Sequence, residues 1–163
     1  MNTPEIKPDR ELLKSIILRI ETGEVKLPPF QRNFVWIQEQ IISLLDSIYK
    51  NYPIGCVIVW RCHERLLARK NIGGFQLNER EAAYPIDYVL DGQQRLTTIY
   101  GVFCKDRIVA QSEGENTTDT RMFDIYFDMD EKIFVPVESK NNGHKNIKMS
   151  VLFNATEFHS EIA

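Results

Sequence analysis

Across Gly92 the chain changes its hydrophobic period. Residues 83–90, AYPIDYVL, form an apolar run with strand character, and residues 93–103, QQRLTTIYGVF, follow with helical spacing. A strand that becomes a helix across one glycine folds as a strand–turn–helix unit. The first N–H groups of such a helix have no internal partner and face whatever lies beyond the strand end. A plain surface turn needs only the glycine and one capping group. Here Asp91, Gln93, Gln94 and Arg95 crowd the same junction.

Around this unit the chain divides by periodicity and breakers. DRELLKSIILRIETG places Leu12, Leu13, Ile16, Ile17 and Ile20 on one helical face, with Asp9 as the expected cap and Gly23 as the stop. Pro28–Pro29 then forces an extended path over Leu27 to Phe30, because proline fixes its own φ and restricts the residue before it. Ile37, Ile41, Leu44, Leu45 and Ile48 predict a second helix, ended by NYPIG. CVIVWR, residues 56–61, reads as a buried strand, and residues 65–83, broken at Gly73–Gly74, as a loop or exposed hairpin. QSEGENTTDT reads as a polar, mobile segment. MFDIYFDM and KIFVPV pair as a hairpin across Asp130–Glu131, SKNNGHKN is a loop, and Ser150 caps the start of a further helix.

At 163 residues the chain fits one domain, 1–163, and its abrupt end is that of a piece cut from something longer. A formal charge of -3 and a pI near 5.7 give no global basic field, so any nucleic-acid contact must be a local patch. No apolar run approaches a membrane span and the N-terminus is too polar for a secretory signal, so the chain reads as cytoplasmic, without a membrane partner. Cys56, Cys62 and Cys104 have no metal-binding spacing and read as reduced thiols, so no metal site of the chain's own is expected.

The junction suits an anion. Helix N–H groups after Gly92 and the helix dipole attract negative charge, and Arg95 in the first turn offers a bidentate fork to phosphate oxygens. Asp91 would be repelled by the same phosphate, which leaves it to accept a ribose hydroxyl, to hold Mg²⁺ through water, or to orient Arg95. Read alone, the stretch is balanced by an ordinary turn, since Asp–Gly and a solvated arginine are common there, and no P-loop occurs in the chain. PPFQRNFVW, residues 28–36, tips the balance. It repeats a glutamine–arginine pair, Gln31–Arg32, on a proline-stiffened segment flanked by Phe30, Phe34 and Trp36.

Together LPPFQRNFVW, a helix ending in YPIG, an apolar strand and VLDGQQRLTTIYG resemble the N-terminal domain of GmrSD-type restriction proteins. The resemblance covers residues 10–104 best. It implies an α+β fold with a small mixed sheet flanked by helices, of the ParB/sulfiredoxin-like kind. It further implies a site of Gln31, Arg32, Asp91, Gly92, Gln93, Gln94 and Arg95 that binds a nucleoside triphosphate and is associated with its hydrolysis. Thr97 and Thr98 are expected to add hydroxyl contacts, with Thr98 in the nucleotide site. In the chemistry so implied, Arg95 and Arg32 stabilise phosphate charge, Gln94 or Gln93 orients the attacking water, and Asp91 meets Mg²⁺ indirectly. Proteins of this type join the domain to an HNH-like nuclease. His63, His144 and His159 form no such motif, so nuclease chemistry is expected from a missing part or a partner subunit. The alternative is a DNA-binding module that senses modified DNA without hydrolysis, with Arg32 and Arg95 on backbone phosphates. The third reading is a regulatory scaffold with a vestigial pocket.

Overall fold

The computed structural model describes residues 7–77, 85–104, 118–154 and 158. In chain order its elements are α1 (Leu13–Glu21), β1 (Val25–Lys26), α2 (Gln38–Tyr49), β2 (Ile58–Cys62), β3 (Asn71–Ile72), β4 (Phe75–Gln76), β5 (Ile86–Asp91), α3 (Gln93–Cys104), β6 (Ile125–Asp128), β7 (Ile133–Pro136) and β8 (Asn146–Lys148). They make an α+β fold. A mixed sheet runs β1–β5–β2, with β1 parallel and β2 antiparallel to β5, and a second, antiparallel sheet runs β7–β6–β8.

The helices form where the apolar period placed them. On α1, Ile17 and Ile20 are buried, each contributing roughly 1.5–3 kcal/mol of hydrophobic stabilisation. Gly23 stops the helix at φ +80°, a left-handed conformation that glycine adopts without a Cβ penalty. Its start differs from expectation: Leu12 is the cap residue and makes no side-chain bond, while the Asp9 carboxylate only accepts from the Arg10 amide. On α2 the buried face is Ile41, Leu44 and Leu45, and Gln40 Oε1 reaches back to the Ile37 N–H at 3.1 Å. The central helix is α3. From Leu96 to Cys104 every residue is buried, which is the pattern of a helix enclosed on all sides. Gly101 lets the Phe123 ring lie against the helix; a Cβ there would stand 2.6 Å from the ring.

β5 is the central strand and is buried from Ile86 to Val89. Its buried carboxylate, Asp87, takes a bidentate fork from Arg61 on β2, at 2.9 Å to each oxygen, and a further bond from Arg19 on α1. These bonds, Arg61 first, hold the Asp87 pKa below the usual carboxylate value.

Four expectations are corrected. CVIVWR is not a buried strand: β2 lies at the sheet edge, and Ile58, Val59 and Trp60 are 47%, 39% and 52% exposed. β-branched composition reports strand character and says nothing of edge or centre. The hairpin within residues 65–77 is not exposed, because Ile72 and Phe75 are buried in the core. SKNNGHKN is not loop to its end: its last residue, Asn146, begins β8, which pairs with β6. Ser150 caps no helix; it sits buried inside the 3-10 turn Met149–Val151. Residues 78–83, most of QSEGENTTDT, and most of the chain after residue 154 lie outside the described residues. The β6–β7 hairpin forms as expected across Asp130–Glu131. No described helix is long and apolar enough to cross a membrane.

Candidate functional site

The strand–turn–helix unit is built as its sequence demands. Gly92 sits at φ +93°, and a Cβ there would lie 2.9 Å from Val57 Cγ2 and 3.1 Å from Val57 Cα. Glycine is therefore required twice, by backbone conformation and by the segment crossing over it. Leu96 N makes the first helical bond, to Gly92 O, so the N–H groups of Gln93, Gln94 and Arg95 stand ahead of the internal ladder.

The loop at residues 28–36 is brought against this junction by side-chain amides. β1 stops opposite Tyr88, and Pro28 and Pro29 then remove two backbone donors from the path. Gln31 Nε2 takes their place, donating to Val89 O and Leu90 O at 3.0 Å each. From the helix side, Gln93 Nε2 donates to Arg32 O at 2.8 Å. Gln94 uses both ends: Nε2 donates to Asn33 O at 3.1 Å, and Oε1 accepts from Val35 N at 3.0 Å. Gln93 and Gln94 are both buried.

The result is a cleft of about 160 Å³ lined by Gln31, Arg32, Trp36, Asp91, Gly92, Gln93, Gln94 and Arg95. Both glutamine–arginine pairs face it. Arg95 Nη2 donates to Cys56 O at 2.5 Å and lies 3.5 Å from Asp91 Oδ2, whose side chain is 70% exposed. The Arg32 side chain is exposed and has no hydrogen-bond or ion-pair partner among the described residues. Two buried atoms at the junction, Gln93 Oε1 and Arg95 Nε, also have no partner there. The cleft thus offers two guanidinium groups and open helix N–H groups to an anion, with one carboxylate at its side.

Thr97 and Thr98 are corrected. Both are fully buried in α3 and neither lines the cleft, since their positions on the helix turn them into the core. Of the aromatics that flank Gln31–Arg32, Phe30 is 74% exposed, whereas Phe34 packs its ring 5.3 Å from that of Phe123. One participant carried no signal in the sequence. Arg69, within the charged run ARKN, donates to Asn33 Oδ1 at 2.8 Å and to Gln31 O from behind the loop.

Away from the cleft, Asp128, Asp130 and His144 place ligand-type atoms within 4.8 Å of one another. Their bonds are those of a structural clasp. Asp128 accepts from Asp130 N, Glu131 N and His144 Nδ1, and Asp130 accepts from Lys145 N. The Glu131 amide, ahead of His144, keeps the Asp128 carboxyl below its usual pKa, and the Asp128 bond raises that of His144.

Comparison with known proteins gives a consistent result. The family described as GmrSD restriction endonuclease, N-terminal domain, matches residues 11–161. An uncharacterized protein of Methanocaldococcus jannaschii is 35% identical over 100 residues, which cover 59% of this chain and 17% of that protein. The chain therefore spans about a sixth of the length of the curated relative it matches. No solved structure matches.

Proposed function

Because the chain belongs to the family of GmrSD restriction endonuclease N-terminal domains, we propose that it is the nucleotide-binding, regulatory domain of a DNA restriction protein. Its cleft holds the phosphates of a nucleoside triphosphate and promotes their hydrolysis. The observation that carries this reading is the unpartnered Arg32 guanidinium, set by the glutamine bonds beside Arg95 and the open N-terminus of α3. At about 160 Å³ the cleft is smaller than the several hundred Å³ usual for a whole small-molecule site. It suits the phosphate end of a nucleotide, with sugar and base beyond the rim.

In hydrolysis, water attacks the terminal phosphorus and the nucleoside diphosphate leaves. The protein positions groups and stabilises charge. Arg32 and Arg95 neutralise the phosphate oxygens, and the N–H groups after Gly92 cradle them. A Mg²⁺ ion brought by the triphosphate would supply charge neutralisation, and Asp91, the mostly exposed carboxylate of the cleft, is the residue that would hold it, through water. Gln94 spends both polar ends on the loop, so its part is to hold Asn33 and Val35 rather than to aim water. Gln93, whose Oε1 has no described partner, is the better candidate to accept a hydrogen bond from the attacking water. We assign DNA cleavage to another part or partner of the restriction system, since among the described residues His63 and His144 share no site and His144 bonds Asp128.

A second reading, binding of DNA without hydrolysis, is favoured by Phe30, exposed two residues from Arg32 and open to a base. One experiment separates the two. Thermal-shift titrations with ATP, GTP, CTP and UTP, with and without Mg²⁺, should stabilise the wild type by mass action and release phosphate. Arg32→Ala and Arg95→Ala should each abolish the shift. A shift that survives Arg95→Ala removes the nucleotide reading, and salt-sensitive DNA binding without any nucleotide shift favours the second.

A further inference from the structure

We propose that Arg69 is the positioning residue of the cleft: its guanidinium holds the 29–33 loop against β5 and α3, so that the site is complete only while the β3–β4 hairpin is docked. The proposal rests on the nucleotide reading and extends it to how the site is held and loosened.

The loop has few internal bonds of its own. Gln31 N donates to Pro28 O at 3.2 Å, and the rest of its polar groups look outward for partners. Arg69 answers from behind. Its backbone N–H donates to Leu27 O at 2.8 Å, its Nη1 to Asn33 Oδ1 at 2.8 Å, and its Nη2 to Gln31 O, with Pro29 O at 3.5 Å. A rigid, permanently charged fork is the side chain that can serve several acceptors at once. The next carbonyls, Arg32 O and Asn33 O, go to Gln93 and Gln94. With the carbonyls of three successive residues all engaged, the Arg32 side chain is what the loop leaves free toward the cleft.

Arg69 stands two residues before β3, and the hairpin grips the loop a second time. Leu77 N closes the hairpin on Lys70 O at 2.9 Å, and Ile72 and Phe75 anchor it in the core. The Phe75 ring lies 5.5 Å from that of Phe123, which in turn lies 5.3 Å from that of Phe34 in the loop. The hairpin therefore holds the loop by a guanidinium at Gln31–Asn33 and, through Phe123, by tilted ring contacts at Phe34. Undocking the hairpin would leave the loop only the amide bonds of Gln31, Gln93 and Gln94, and so loosen Gln31 and Arg32 together.

The test uses the full chain as wild type, Arg69→Met and Arg69→Lys. Hydrogen exchange over residues 29–37 and affinity for the Mg²⁺ salts of ATP, GTP, CTP and UTP are measured on each. If the loop keeps its shape in only about a tenth of Arg69→Met molecules, nucleotide binding weakens about tenfold, with faster exchange confined to residues 29–37. Arg69→Lys, which keeps the charge and loses the fork, should fall between. Unchanged exchange in the loop overturns the proposal, as does a lower melting temperature with wild-type nucleotide affinity, which marks a purely structural residue. If the wild type binds no nucleotide, the nucleotide reading fails. The exchange data then still decide whether Arg69 holds the loop.

Discussion

The same dipeptide, Gln–Arg, occurs on both walls of the cleft and is put to different use on each. In Gln94–Arg95 both side chains are tied: the amide bonds Asn33 and Val35, and the guanidinium bonds the Cys56 carbonyl beside Asp91. In Gln31–Arg32 the amide is tied to β5 and the guanidinium has no described partner. The glutamines on both walls join backbone to backbone. What differs is the arginine: Arg95 is a fixed part of the wall, and Arg32 stands on a held backbone with its fork open. A guanidinium without an acceptor has no existing bond to give up to an incoming anion.

Gly92→Ala strikes the point on which both pairs depend. A Cβ at φ +93° would be strained and would press on Val57, so a loss of about 3 kcal/mol is expected in denaturant titration. Stability within about 0.5 kcal/mol of wild type would show that the junction relaxes, and the two walls would then not be mechanically linked. Gln94→Ala sharpens the contrast between the amides. It strands Val35 N–H and Asn33 C=O and should cost about 2 kcal/mol, whereas Gln31→Ala, nearer to solvent, should cost about 1 kcal/mol. Equal losses would mean that neither wall dominates.

The smallest effect concerns a third setting for arginine. Asp87, four residues before Asp91 on the same strand, is buried between Arg61 and Arg19, and its pKa is depressed. A depressed carboxylate contributes stability above its unfolded pKa of about 4 and loses it as pH falls through the lower folded value. The melting temperature of the wild type should therefore drop more steeply below about pH 4 than that of Asp87→Asn. Parallel curves would show that the fork adds nothing that water does not supply.

Much of this was legible in the chain. The periods of α1, α2 and α3, the stop at Gly23 and the β6–β7 hairpin are local facts, written within a few residues of where they act. So was the junction, because a strand and a helix meeting across one glycine leave few conformations, and seven expected site residues do line one cleft. The errors fall where an outcome depends on distant neighbours. CVIVWR became an edge strand, the Gly73–Gly74 hairpin entered the core, and Thr98 turned away from the cleft.

The sequence by itself determined that a polar strand–turn–helix junction and a proline-braced glutamine–arginine loop exist. Only the tertiary structure decided which amide holds and which guanidinium waits. Gln94 and Gln93 find their partners 59 and 61 residues away, and Arg69 reaches back 38 residues to Gln31. No local period encodes such pairings. They follow from where β5, α3 and the β3–β4 hairpin come to rest once the apolar faces are buried, leaving each polar group to bond the neighbour that packing has placed beside it.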